Sequence, residues 1–230
     1  MDLQGFGHLL ISGAWVTLQL ALCSLAVGLI FGLLGATAKV SSSKLLRTMG
    51  NSYTLFVRGM PELLLVLTIF FGSSAVLMAV ASQFGYDEYI ELSPFVAGVI
   101  ALSIAFGAYA TEVFRSALQE IPKGQKEAAV ALGMSKAQTF RRVTLPQVWR
   151  IALPGLGNLF LVLLKDTALV SVIGLNELMR QTAVAVGYTK EPFTFYLAAA
   201  CVYLLLTSIS MAGLHYLERF ANRGYQGARS

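Results

Sequence analysis

Six ionisable side chains stand in or beside otherwise apolar runs of this chain, in three close sets: Arg58 with Glu62, Glu112 with Arg115, and Lys165 with Asp166. A charge in hydrocarbon is costly, so each must be paired, hydrated or functional. Glu112 and Arg115 are three apart and can share one helix face, which suits a structural pair. Arg58 and Glu62 are four apart, and Pro61 marks a helix start, so Glu62 can sit at the positive helix end and pair with Arg58. The alternative leaves Glu62 free. Arg58 can reach back to the interface, and a free carboxylate near a pathway would attract a cation. Lys165 and Asp166 are adjacent and point in different directions, which argues against a private salt bridge.

The other reactive residue types assemble no site. His8 and His215 lie at opposite ends of the chain, without Cys, Asp or Glu at metal-ligand spacing. Cys23 and Cys201 sit inside apolar runs and read as small buried residues. The dipeptide Gly-Lys never occurs, so there is no P-loop to hold ATP phosphates. No Ser, His and acid set is visible. The expectation is therefore no catalytic residue, no metal and no cofactor bound by this chain.

The elements that position the charges come next. Charged residues are 13% of the 230 and apolar residues 56%, against roughly 25% charged in soluble domains. The apolar residues come in runs, as a membrane protein requires. Spans are expected at about 9–38, 53–82, 94–118, 151–174 and 193–217, in one transmembrane domain covering 1–230. The first run is too long, and its start too poor in bases, for a cleaved signal peptide. The second run exceeds the ~20 residues needed to cross, so its first part lies at or below the interface. With five spans the termini face opposite sides. Segments 39–51, 119–150 and 218–230 hold twelve Lys or Arg, whereas the opposite segments, including the acidic loop with Asp87, Glu88 and Glu91, hold two. The positive-inside rule then puts the N-terminus, with Asp2, outside and the tail with Arg219, Arg223 and Arg229 in the cytoplasm. The bases are spread among loops rather than gathered on one soluble face, which argues against nucleic acid as a partner.

The longest polar interval, 120–146, is then cytoplasmic. Pro122 suits a first helical turn, and Gly133 the position just past a helix end. Ser135 stands three residues before Gln138, the spacing of a capping box, and Pro146 limits helix beyond Leu145. Two short helices are expected: one with a small face (Ala128, Ala129, Ala131, Leu132), one basic (Lys136, Arg141, Arg142).

The spacing Glu127-Ala128-Ala129, Gly133, Val143, Leu145, Pro146 resembles the EAA loop of ABC-importer permeases, with Val143 in place of the usual Ile. Gly107-Ala108-Tyr109, Arg58-Gly59-Met60-Pro61 and Lys165-Asp166-Thr167 are similar to elements of the polar amino-acid branch, nearest the Q-type subunit of histidine/lysine/arginine/ornithine systems. The resemblance covers essentially the whole chain. It implies an all-α, type I importer permease fold, and a dimer of identical or homologous permeases set in membrane lipid. It also implies two copies of a cytoplasmic ATPase that uses ATP and Mg, a periplasmic amino-acid-binding protein, and a place in the bacterial inner membrane. On this resemblance Glu127, Ala128, Ala129, Gly133, Leu145 and Pro146 contact the ATPase during alternating access. Lys165 and Asp166 then flank the translocation path, either lining it or holding helices together. Family members commonly carry an apolar residue where Glu62 stands, a departure that suits arginine, lysine, histidine or ornithine. Glutamine or an opine is the alternative substrate. A membrane scaffold would leave the EAA spacing unexplained, and a membrane enzyme would need a catalytic set that is not seen.

Overall fold

The computed structural model describes residues 5–85 and 91–222. Asp2, Asp87, Glu88, Arg223 and Arg229 lie outside the described residues. In chain order the helices are α1 (Gly7–Lys39), α2 (Lys44–Arg58), α3 (Glu62–Ser82), α4 (Pro94–Glu120), α5 (Lys123–Ala131), α6 (Lys136–Thr139), α7 (Leu145–Asp166), α8 (Leu178–Thr189) and α9 (Pro192–Ala221). A π-turn at Phe140–Thr144 joins α6 to α7, and a 3-10 stretch at Thr167–Ile173 continues α7. No strand occurs among the described residues. Five segments are long and apolar enough to cross a membrane: Gly7–Lys39, Glu62–Ser82, Pro94–Glu120, Lys136–Ile173 and Pro192–Ala221.

The centre is the packing of α1 on α4, made possible by small residues. On α1 the buried positions Gly13, Thr17, Ala21, Ser24, Gly28, Gly32 and Ala36 recur every three or four residues, which keeps them on one face of the helix. A Cβ on Gly28 would lie 2.7 Å from Phe106 Cδ1, and one on Gly32 would lie 2.7 Å from Ala110 Cβ. Glycine is required there because the backbones approach too closely for a side chain. Close approach of this kind drives helix association where lipid removes the usual hydrophobic drive. Ser103 Oγ adds a hydrogen bond, donating to Ser24 O at 3.1 Å. By contrast α9 buries little of itself, with Leu204, Leu205, Ile209 and Phe220 all exposed. Cys23 and Cys201 are exposed, not buried. In helices that cross lipid, an apolar residue is as well placed facing hydrocarbon as facing the core.

Four expectations about the elements are corrected. The run 53–82 is not one helix: α2 ends at Arg58 and α3 begins at Glu62, because Gly59 and Pro61 interrupt the backbone ladder. Most of segment 39–51 is therefore the start of α2. Likewise the stretch between the expected spans 151–174 and 193–217 is not simply a connection but contains α8. Pro146 does not end the helix. It falls in the first turn of α7 just after the π-turn, and the wider i→i+5 turn removes the i−4 register with which a proline ring would collide. Pro122, expected inside the first turn, is instead the N-cap of α5.

Candidate functional site

The break between α2 and α3 sets a carboxylate beside a cavity. Glu62 is the first residue of α3, where the unpaired N–H groups of the first turn favour negative charge. Its Oε1 accepts from the Tyr109 hydroxyl at 3.1 Å. Glu62 and Tyr109 line a cavity of about 230 Å³ together with Asp166 and the apolar side chains of Leu102, Ala105, Phe106, Leu159, Val162 and Leu163. Asp166 is the last residue of α7, where the 3-10 stretch Thr167–Ile173 takes over. Neither Glu62 nor Asp166 takes part in a salt bridge among the described residues. Two half-buried carboxylates thus face otherwise apolar walls.

The expected Arg58–Glu62 pair is not formed. Arg58 instead places its guanidinium over the Tyr109 ring, 5.2 Å from the centroid, so Tyr109 stands between the two charges. Lys165 is exposed and takes no part in the cavity lining, which separates it from Asp166 as the adjacent spacing suggested.

The expected Glu112–Arg115 pair is present, with Arg115 Nε donating to Glu112 Oε2 at 2.8 Å. Sequence reading missed its larger partner. Lys39, at the end of α1, makes a short salt bridge to Glu112 Oε1 and donates to Thr54 Oγ1 at 2.7 Å. The Lys39 side chain is only 10% exposed, so one cluster ties together α1, α2 and α4. It forms part of a second, more polar cavity of about 590 Å³, lined by Lys39, Asn51, Thr54, Leu55, Arg58, Gly59, Tyr109 and Glu112.

Glu177 was also missed. It is fully buried and caps α8, its Oε1 accepting from Arg180 N at 2.8 Å and its Oε2 from Met179 N at 2.9 Å. Burial pushes its carboxyl above the ordinary range, against the opposing pull of those two N–H groups. An acid two or three residues ahead of an apolar helical stretch was the available signal. No cluster of three metal-ligating side chains occurs among the described residues.

The third feature is the pair of short helices. α5 ends at Gly133 with φ +78°. Gly133 N–H donates to Val130 O at 2.9 Å, and Met134 N–H to Ala129 O at 3.1 Å. These two bonds are the Schellman pattern, which needs a left-handed residue at this position. The predicted capping box is present: Ser135 Oγ accepts from Gln138 N at 3.3 Å, and Ser135 N donates to Gln138 Oε1 at 2.9 Å. Ala129 is buried, while Glu127, Ala128 and Gly133 are exposed. Val130 and Leu132 are 58% and 80% exposed. Leu145 is half-buried and Pro146 exposed. The knob thus exposes Val130 and Leu132 beside Glu127, with the bases Lys136, Arg141 and Arg142 also exposed.

The sequence from residue 28 to 223 matches the family described as binding-protein-dependent transport system inner membrane component. The chain belongs to this permease family. The permease is 49% identical over 221 residues to the nopaline transport system permease protein NocQ of Agrobacterium fabrum, covering 96% of this chain and 94% of that protein. It is 43% identical over 226 residues to the histidine/lysine/arginine/ornithine transport system permease protein HisQ of Salmonella typhimurium, covering 98% and 99%. It is 44% identical over 227 residues to the arginine ABC transporter permease protein ArtQ of Haemophilus influenzae, covering 97% and 98%. Among solved structures it is similar to an amino acid ABC transporter crystallised with histidines, with TM-score 0.78, 36% identity and 95% of this permease covered, 98% of that chain. A likeness to the MetNI methionine transporter, TM-score 0.79 at 21% identity over 97% of this permease and 100% of that chain, concerns the fold alone.

Proposed function

We propose that this permease carries basic amino acids into the cell, with Glu62 and Asp166 receiving the cationic side chain. The observation that supports it is the cavity in which both carboxylates, neither in a salt bridge among the described residues, face a mainly apolar lining. An arginine or lysine side chain satisfies both features, with its methylenes on Leu102, Phe106 and Leu163 and its charge on the acids. At an effective dielectric of about 20, one such pair at 4 Å has a gross attraction of about 4 kcal/mol, reduced by desolvation. A remainder of about 1.4 kcal/mol is a tenfold preference over a neutral analogue.

In this reading two permeases, identical or homologous, act with two copies of an ATPase that hydrolyses Mg-ATP and with an external amino-acid-binding protein. Segments 39–51, 119–150 and 218–230 face the cytoplasm, as the base distribution favours. The exposed side of α5 and α6, with Glu127, Ala128, Gly133 and the flanking Val130 and Leu132, seats in the ATPase. Its two caps make the knob stiff enough to transmit motion, and Leu145 and Pro146 pass that motion through the continuous helix into α7. Lys165 then serves contacts outside the cavity.

ATP-driven uptake of labelled L-arginine and L-glutamine into proteoliposomes holding the complete complex tests the substrate. Arginine is taken up in preference, and Glu62→Gln lowers its uptake about tenfold while basal ATP hydrolysis persists. Equal uptake of glutamine contradicts the reading. A second reading, an opine, is favoured by the 49% identity to the nopaline permease. Competition by nopaline stronger than by arginine selects it.

A further inference from the structure

Tyr109 is the one side chain common to both cavity linings. Its two ends are engaged differently. On the small-cavity side its hydroxyl donates to Glu62 Oε1 at 3.1 Å. On the other side its ring face lies under the Arg58 guanidinium, which lines the larger polar cavity. Behind the ring the α4 backbone is held firmly. Ala108 and Ala110 are fully buried, and Gly107 leaves no room for a Cβ, which would lie 2.6 Å from Phe31 Cβ. The helix is therefore fixed, and the movable part is the half-buried Tyr109 side chain with its exposed arginine cover.

We propose that Tyr109 is a substrate-displaced partition between the carboxylate cavity and the polar cavity. This inference rests on the reading that Glu62 receives a cation. In the empty site the neutral phenol occupies the Glu62 oxygen that an ammonium or guanidinium group would take. A charged donor forms the stronger bond to a carboxylate, so an arriving cation displaces the phenol. The freed ring leaves its place beneath Arg58, and the wall between the cavities opens. Lys39, Glu112, Asn51 and Thr54 beyond it then offer a polar surface for a zwitterion that leaves the carboxylates. The contact with Glu62 therefore competes with substrate instead of supporting it, and this separates a partition from an ordinary binding residue.

Two measurements test the partition, on the permease in its complex with the ATPase in lipid nanodiscs. The first is equilibrium binding of L-arginine to wild type and Tyr109→Phe. Loss of the competing hydroxyl is expected to tighten binding about tenfold or more, for a hydrogen bond to a charged group. Unchanged or weaker binding overturns the proposal, since a structural or substrate-contacting tyrosine gives those results. The second measurement needs no substrate, so it fails separately from the reading of the carboxylate cavity. Ala105→Cys lines that cavity and is placed in a background with Cys23→Ser and Cys201→Ser. Its reaction with a charged methanethiosulfonate reagent is expected to speed up at least tenfold when Tyr109→Ala removes the wall, and to stay at the wild-type rate with Tyr109→Phe. Equal rates in Tyr109→Ala and wild type overturn it. Should Tyr109→Ala fail to assemble, Tyr109→Thr also removes the ring and is read in the same way: a rate at least tenfold faster is expected, and the wild-type rate overturns the proposal.

Discussion

Replacing Gly133 in three ways separates backbone geometry from contact at the joint between α5 and α6. With φ +78° the residue is in the left-handed region, where an ordinary L-residue costs about 1–2 kcal/mol and Asn or Asp less. A Cβ built there meets nothing within 4 Å. Within this chain the whole penalty is therefore conformational, with no crowding at the joint. Gly133→Val should destabilise the turn by about 1–2 kcal/mol, which shifts its population about fivefold to thirtyfold. Gly133→Asn should be close to neutral. Gly133→Asp matches Asn in backbone preference but adds a charge beside the exposed Val130 and Leu132. The assay is arginine uptake per ATP hydrolysed in proteoliposomes, with thermal unfolding of each purified variant. Asn should keep coupling, Val should lower it with only a small loss of thermal stability, and Asp should lower it with none. If Val and Asp both retain wild-type uptake, α5 and α6 are an ordinary loop and the lever reasoning fails.

Other perturbations address the scaffold and its orientation. Gly32→Leu forces a side chain against Ala110 and Phe114; it should cost about 1–3 kcal/mol or prevent folding, read as loss of the monodisperse chromatographic peak. Glu112→Gln leaves Lys39 without its counter-charge and should lower stability by about 1–3 kcal/mol, whereas adding Lys39→Met should restore part of it. Complete additivity of the two changes in thermal unfolding would show that the pair is uncoupled. For orientation, Glu91→Cys should react with an impermeant maleimide in intact cells and Lys136→Cys only after lysis. Labelling of Lys136→Cys in sealed cells would reverse the topology.

The α5–α6 knob was legible because its determinants are local: a left-handed glycine and a Ser–Gln box act within four residues of themselves. The long apolar spans were legible for a related reason, since lipid requires one continuous hydrophobic stretch per crossing. The amphipathic helices α2 and α8 were not, because their polar positions lower the average on which a hydropathy reading depends. Pro146 misled because a π-turn takes up the clash, and nothing in a proline's neighbours announces that turn. Within the site, Glu62 and Asp166 were each suspected alone, yet their meeting depends on how α3 and α7 pack around α4. Lys39 with Glu112, 73 residues apart, and Tyr109 with Glu62, 47 apart, are contacts that only the tertiary fold creates. That is also why Arg58, paired with Glu62 by helical spacing, is found on Tyr109: the break at Gly59–Pro61 takes the two out of one helix.

Glu62 and Asp166 are proposed to bind the positive charge of the transported amino acid together. Equilibrium binding of labelled L-arginine to the permease–ATPase complex in nanodiscs, with the external binding protein left out, tests it most directly. Binding should be saturable, displaced by L-lysine and not by L-glutamine, and weakened about tenfold by Asp166→Asn and more by Asp166→Asn with Glu62→Gln. Arginine binding of wild-type strength in that double variant, in a complex that still assembles and hydrolyses ATP, would contradict it.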